Sequence, residues 1–175
     1  MADKIIRDIP LIQRYARHNA GEDFAFRAFL KGRLNLSNEA LDAVAQETTD
    51  AVWKQIDCLT CGNCCRTLQI VVDDQDIQRL ARRLSTTPRQ FSKQYVETDE
   101  YKTQYLKSTP CSFLGADNRC SVYEDRPQAC RDFPYLHAED FRSRTLMMID
   151  NAAVCPIVFN VWQQLKERLK FRRRR

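Results

Sequence analysis

The pattern of apolar and polar positions predicts helices at both ends of the chain and less regular structure between them. Residues from about 8 to 56 have helical spacing, and Ser37 is a suitable N-cap for a long helix within this stretch. Its expected core positions are Leu41, Val44, Ala45, Thr48, Val52 and Ile56. A second periodic stretch follows Asp150-Asn151 and Cys155-Pro156 and predicts a C-terminal helix. The positions expected on its buried face are Val158, Val161, Trp162 and Leu165.

Helix-start signals and a β-branched run alternate in the middle of the chain. The run Thr67-Leu-Gln-Ile-Val-Val72 predicts a strand. Asp73, with Asp76 three residues later, predicts the N-terminus of a helix. Thr87-Pro88 repeats the start signal, because proline is favoured at the first helical position, and this second helix should end near Val96.

Residues 105–134 contain more turn signals than periodic positions. Residues 111–114 and 120–123 predict two short strands around a turn at 115–119. Arg126-Pro127 then predicts a brief helix that contains Cys130 and ends at Phe133-Pro134.

Composition argues against a secreted disulfide scaffold and against a membrane-spanning protein. With 175 residues, 43% of them hydrophobic, the chain can bury an ordinary core, unlike secreted scaffolds of under ~80–100 residues. The first ten residues contain no apolar run of signal-peptide length, and no stretch approaches the ~18 consecutive apolar residues of a membrane span. We therefore expect a cytoplasmic protein in a compartment that keeps thiols reduced.

Cysteine is the most informative residue type in the chain. Four of the eight cysteines lie within eight residues, as Cys58-Leu-Thr-Cys61-Gly-Asn-Cys64-Cys65. The other four are Cys111, Cys120, Cys130 and Cys155. Thiolates are soft ligands that oxidise easily when exposed, so this density indicates a partner. In a reducing compartment that partner is a metal rather than a disulfide framework.

The spacing within the cysteine run is typical of metal sites. C-x2-C turns two sulfurs toward one ion, and the run Cys58, Cys61, Cys64 is similar to the ligand run of bacterial-type ferredoxins. In those proteins the remaining ligand is distant and precedes a proline, as Cys155 does here. Two interpretations stay open: a redox-active or catalytic iron centre, or a closed zinc site that only holds the fold.

The adjacent pair Cys64-Cys65 raises the question of one centre or two. Side chains of neighbouring residues diverge in most backbone conformations, so these two thiols need not bind the same ion. One partition among many assigns the cysteines to two sets of four. The first set is Cys58, Cys61, Cys64 and Cys155, and the second is Cys65, Cys111, Cys120 and Cys130.

Together these patterns predict an α+β fold, a mostly helical single domain with a short β-hairpin around a cysteine-rich metal site. Residues 1–56 would form an N-terminal helical region and residues 57–160 the cysteine-cluster metal-binding domain, in one compact unit with the helices. Residues 161–175 would form the end of the last helix and a basic tail.

The net charge of +5 is mild, and four consecutive arginines end the chain at residues 172–175. Such a tail can contact nucleic acid, an acidic partner or anionic lipid. The simpler interpretation is a solvated chain end, because disorder concentrates at termini.

From Cys58 to Pro134 the sequence resembles the YkgJ-like CxxCxxCC family, a group described as zinc- or iron-chelating or iron–sulfur-containing proteins. The segments that match are Cys58-x2-Cys61-Gly-x-Cys64-Cys65, Pro110-Cys111-x-Phe-Leu, Cys120-Ser-Val-Tyr, Arg126-Pro127-x-x-Cys130-Arg131 and Phe133-Pro134. The resemblance implies metal chelation by the cysteines, with iron (as an iron–sulfur centre or as iron) or zinc as the metal. A redox or group-transfer role is compatible with it but unspecified.

The resemblance also points to two arginines as cofactor-binding residues. Arg126 and Arg131 flank Cys130 and could donate hydrogen bonds to cluster sulfurs or thiolates, or simply pair with carboxylates at the surface. The alternative function is a non-catalytic, zinc-stabilised adaptor whose basic tail binds an acidic partner or nucleic acid. A thiol-based protein that passes metal ions on is a third hypothesis.

Overall fold

A computed structural model describes residues 5–172, and most of them are helical. The α-helices are α1 (Ile9–Gly32), α2 (Asn38–Trp53), α3 (Cys58–Cys61), α4 (Asn63–Thr67), α5 (Asp74–Arg83), α6 (Pro88–Tyr95), α7 (Gln128–Asp132), α8 (Thr145–Ala152) and α9 (Pro156–Arg168). Strands β1 (Val96–Thr98) and β2 (Gln104–Leu106) pair antiparallel, and Tyr123–Asp125 forms a single 3-10 turn. The prediction of an α+β, mostly helical fold is confirmed.

Polar side chains fix the helix starts where the sequence predicted them. The Ser37 hydroxyl accepts a hydrogen bond from the Ala40 N–H at the start of α2. Asp73 and Asp76 form a reciprocal capping box at α5, and Thr87 begins another at α6. Each cap satisfies backbone N–H groups that the first helical turn leaves without partners.

By packing, the chain divides into two units. The helical unit consists of the residues up to 57 and those from 134 onward; the cysteine unit consists of Cys58–Phe133. The division into residues 1–56, 57–160 and 161–175 stays a prediction. None of the helices in the described part of the chain is long and apolar enough to cross a lipid bilayer.

Within the helical unit, α9 packs against α1, α2 and α8. Its predicted buried face is confirmed, and Trp162 contacts Phe26 edge-to-face at a centroid distance of 4.8 Å. Phe171 is also buried and lies 5.1 Å from Phe26, so the core continues past α9. The remaining basic residues after Arg172 lie outside the described part of the chain.

Helix α8 corrects the predicted start of the C-terminal helix. Asp150 and Asn151 do not precede α9 but lie inside α8, and the chain enters α9 through Cys155 and Pro156 instead. Two polar residues near the end of an eight-residue helix resemble a start signal, which explains the misplacement.

The cysteine unit has a small core of its own. Helix α5 packs on α6, and β1 continues directly from α6. The buried residues of this core are Val72, Ile77, Leu80, Ala81, Phe91, Val96, Leu106, Phe113 and Val122.

The two strand predictions in this unit are only partly correct. Thr67 ends α4, and the segment after it is extended but joins β2 only through a bridge between Val71 and Tyr105. The hairpin predicted at 111–123 reduces to one bridge, between Leu114 and Cys120, and the two-stranded sheet lies upstream. In both places the ladder is limited to a single antiparallel bridge.

Candidate metal centre

The cysteine run forms two very short helices joined by a glycine hinge. Cys58 and Cys61 lie at the two ends of α3, whereas Cys64 and Cys65 lie in α4. Gly62 joins them with φ +59°, a left-handed conformation that favours glycine. The hinge turns the chain between the two cysteine pairs.

Two polar side chains hold this run against the turn at 115–119. Arg66 donates from Nη1 to the Cys61 carbonyl at 3.2 Å and from Nη2 to Asn118 Oδ1. Asn118 in turn donates from Nδ2 to the Thr60 carbonyl at 3.0 Å. These contacts fix the α3 backbone from outside, and sequence spacing gives no signal of Asn118, which lies more than fifty residues from both Arg66 and Thr60.

Cys65 lies where the cysteine run meets the downstream cysteines. Its carbonyl accepts the Cys111 N–H at 2.8 Å, and its Sγ lies 4.0 Å from the Cys64 Sγ. The hydrogen bond with the Cys64 thiol, helped by the nearby charge of Arg66, lowers the pKa of Cys65 to about 7. Near neutral pH, a substantial fraction of Cys65 is therefore present as the thiolate.

Three further thiols lie within the electrostatic field of Cys65. Burial raises the pKa of Cys111 and Cys120, and the charge of Cys65 adds to the rise in both. Burial and the charges of Cys65, Cys111 and Cys120 raise the pKa of Cys130 to about 12. These thiols are therefore close enough for a negative charge on one to disfavour ionisation of another. We call the four residues the Cys65 group: Cys65, Cys111, Cys120 and Cys130.

Arg126 is the cation beside this group. Its positive charge opposes the rise in pKa of both Cys120 and Cys130. The guanidinium lies 3.9 Å from the ring centroid of Tyr123 and donates from Nη1 to the Tyr123 carbonyl at 2.7 Å. These contacts hold its charge near the thiols.

Arg131 has a different environment. It is exposed, and it donates from Nε to the Arg126 carbonyl at 3.1 Å and from Nη2 to the Glu124 carbonyl. These two hydrogen bonds thus hold the backbone of residues 124–126 in place, and neither of them is to a sulfur atom. The two arginines that the sequence treated alike have separate structural roles.

The remaining predicted ligands are distributed over both units. Cys58 and Cys61 lie on α3, at the start of the cysteine unit. Cys155 belongs to the helical unit, where it is buried and precedes Pro156 at the start of α9. His137 is not among the predicted ligands; it also lies in the helical unit, where it forms a hydrogen bond with Asp50 at 3.1 Å and packs on Trp53.

The donor chemistry of the Cys65 group fits a thiophilic metal. Within residues 5–172 no three or more Cys, His, Asp or Glu side chains converge closely enough to hold an ion as they stand. Cys111, Cys120 and Cys130 are protonated at neutral pH, and a protonated thiol is not a ligand, so coordination requires the loss of these protons. A cation would replace them and remove the repulsion among the thiolates.

Two residues, the buried Asp76 and the half-buried Arg79, make contacts near the Cys65 group that the sequence did not predict. Asp76 was assigned only to helix capping, yet its carboxylate also accepts the Gln128 N–H at 3.0 Å. Arg79 reaches the backbone of residues 125 and 126. The sequence predicted Asp76 only as part of a helix start, and it gave no signal that the side chain would be buried.

Comparison with family models places the cysteines in a known family. Residues 57–156, more than half of the chain, match a family described as "CxxCxxCC: Putative zinc- or iron-chelating domain". The match extends beyond Pro134, where the resemblance seen in the sequence ended, and it includes Cys155-Pro156. No solved structure matches the chain.

Proposed function

This chain belongs to the CxxCxxCC family of metal-chelating proteins, and we propose that its thiolates hold iron, as an iron–sulfur centre or as iron, in a reducing cytoplasm. The observation that supports this most is the clustering of four thiols in the Cys65 group, three of which have raised pKa values. Burial and the charge of Cys65 make Cys111, Cys120 and Cys130 costly to ionise without a cation, and a thiophilic metal supplies that cation.

The metal would be held by the Cys65 group, that is, by Cys65, Cys111, Cys120 and Cys130. The proposed ligand set also includes the other four cysteines, Cys58, Cys61, Cys64 and Cys155. An iron centre bound in this way supplies one-electron chemistry; zinc would supply only structural support. Arg126 would stabilise the negative charge of the thiolates. Arg131 would keep the Arg126 carbonyl and its segment in place.

Zinc is the alternative metal, because sites made only of cysteine are usually structural zinc sites. The adaptor function that this alternative implies depends on the arginine tail, which lies largely outside the described residues. Phe171 is part of the core, so a deletion that tests the tail should begin at Arg173 and leave Phe171 in place.

A visible spectrum with elemental analysis of anaerobically purified full-length protein tests the proposal. Iron bound by sulfur absorbs visible light through charge transfer, whereas zinc is d10 and colourless. We expect a coloured protein with stoichiometric iron. A colourless protein with stoichiometric zinc would assign the site to zinc and disprove the iron proposal.

Single substitutions then test the ligand assignment. Cys130→Ser should lower the bound metal and change the spectrum, because it removes one thiolate from the Cys65 group. Ala129→Ser is the matched control, since it adds the same hydroxyl one position away in α7 and should leave both unchanged. Cys155→Ser tests the eighth ligand: unchanged metal content and spectrum would remove Cys155 from the set.

A further inference from the structure

Asp76 is buried although its position in the sequence requires only a helix cap. Its side chain is 4% exposed, on the inner side of α5. One carboxylate oxygen, Oδ2, accepts the Asp73 N–H at 3.3 Å and completes the capping box. The other, Oδ1, accepts the Gln128 N–H at 3.0 Å, which lies 52 residues away in sequence. Capping alone does not account for this second contact.

Arg79 extends the contact from one peptide group to three. Its Nη2 donates to Asp76 Oδ1 at 2.5 Å and to the Arg126 carbonyl at 3.0 Å. Its Nε donates to the Asp125 carbonyl at 3.2 Å. Asp76 and Arg79 together therefore hold the backbone at positions 125, 126 and 128.

The segment held in this way contains groups that the proposed metal centre needs. Arg126, whose charge acts on Cys120 and Cys130, lies within it, and Cys130 follows in the first turn of α7. The Cys130 N–H bonds to the Pro127 carbonyl at 2.9 Å, so its position follows that of residues 126–128. Burying a carboxylate is costly, and here the cost is offset by the helix cap, by Arg79 and by the Gln128 N–H, the last of which lies in this segment.

We propose that Asp76 is the positioning residue of the metal centre: with Arg79, its buried carboxylate holds residues 125–128 and so keeps Cys130 within the Cys65 group and Arg126 beside it. The inference rests on the proposed function. It assigns no ligand role to Asp76, which acts through the backbone. Outer contacts of this kind orient ligands in metal sites, and their removal typically weakens metal binding about 10–100-fold.

Co²⁺ binding to the metal-free full-length chain tests the inference. Thiolate-bound Co²⁺ gives a sulfur-to-metal charge-transfer band, and competition with a chromophoric chelator gives its dissociation constant. Asp76→Asn keeps the size of the side chain but loses the charge that holds Arg79. We expect its dissociation constant to rise about 10–100-fold and the band intensity per bound ion to fall.

Asp74→Asn is the matched control, because it removes the same charge from the same turn of α5 at an exposed position. Its dissociation constant and band should equal those of the wild type. If Asp76→Asn also binds like the wild type, the positioning role is disproved. If the wild type itself gives no thiolate band, the proposed function fails before this inference is reached, so the two failures are distinguishable.

A second pair of variants decides the matter if Asp76→Asn does not fold. Gln128 is the first residue of α7, a position where proline is well tolerated. Gln128→Pro therefore removes the N–H that donates to Asp76 and should leave the helix itself intact. Gln128→Ala removes the side chain and keeps that N–H. We expect weaker Co²⁺ binding in Gln128→Pro than in Gln128→Ala, by about tenfold or more. Equal affinities in these two variants would overturn the proposal.

Discussion

At the scale of the residue, hydrogen bonding, burial and neighbouring charge give chemically identical cysteines different pKa values. Cys65, beside the Cys64 thiol and Arg66, has a pKa of about 7, and Cys130, buried among other thiols, has one of about 12. Because the thiolate is the nucleophile, these environments also predict different reactivities in the metal-free protein.

The rate of alkylation of Cys65 by iodoacetamide should therefore rise with pH, with a midpoint at about pH 7, and level off at more alkaline pH, where its thiolate is fully formed. Cys130 should react slowly, with a rate that still rises at the alkaline end of the series, since it stays protonated. Mass spectrometry of peptides from the quenched metal-free chain measures both rates. A common midpoint for the two cysteines would contradict the environments described above.

Gly62 is the residue at which backbone conformation limits the cysteine run. An added Cβ would meet Arg66 Nη1 at 3.0 Å and Asn118 at 3.3 Å, in a left-handed conformation that costs an L-residue about 1–2 kcal/mol. We expect Gly62→Ala to lower the free energy of unfolding of the metal-free chain by about that amount, as measured by urea denaturation.

Gly32→Ala is the control for this measurement. Gly32 is the last residue of α1, and an added Cβ there would meet nothing within 4 Å. Alanine should be neutral or should stabilise by up to about 1 kcal/mol, because it reduces the freedom of the unfolded chain. Equal losses in the two variants would show that the hinge is not constrained.

At the scale of the element, the last helix is held by a buried ion pair as well as by apolar packing. Lys166 in α9 donates to Asp23 in α1 at 2.6 Å and to Glu22 at 2.8 Å. The indole Nε1 of Trp162 donates to the same Asp23 carboxylate at 2.9 Å. The network joins the first and last helices of the helical unit through polar atoms inside its core.

Lys166→Met should therefore destabilise the protein by about 3–5 kcal/mol, because it leaves the carboxylate of Asp23 buried with its charge uncompensated. Thermal or urea unfolding measures the loss. Lys31→Met makes the same chemical change at an exposed position of α1 and should alter stability by less than about 0.5 kcal/mol. A comparable loss in both variants would contradict a specific role for the pair.

The elements that the sequence predicted are those fixed by local chemistry. Ser37, Asp73 and Thr87 begin helices because their side chains accept N–H groups only three residues away. The strands at 67–72 and 111–123 depended on pairing with distant segments, which residue type alone does not specify. Spacing likewise identified the cysteines. It did not identify the contacts that Asp76, Arg79 and Asn118 make with residues about fifty positions away.

At the scale of the whole molecule, the two units differ in what holds them together. The helical unit has a core of long helices, whereas α3, α4 and α7 of the cysteine unit are four or five residues long. Helices so short are not stable alone, and small units commonly depend on a metal.

Metal removal should therefore loosen one unit and not the other. With a chelator, backbone hydrogen exchange should become faster in residues 58–133, while α1, α2 and α9 keep their protection. Hydrogen–deuterium exchange with mass spectrometry, on full-length protein with and without the chelator, measures both regions at once. Equal changes in both units, or none in residues 58–133, would contradict a metal-dependent cysteine unit.

The sequence order of the two units has a consequence for how the protein is made. The cysteine unit is continuous in sequence, but the helical unit joins residues from both ends of the chain, and Phe171 belongs to its core. During synthesis the N-terminal helices must wait for α8, α9 and Phe171, whereas residues 58–133 emerge from the ribosome earlier as a complete unit. A nascent chain can thus fold its cysteine unit before the helical unit closes.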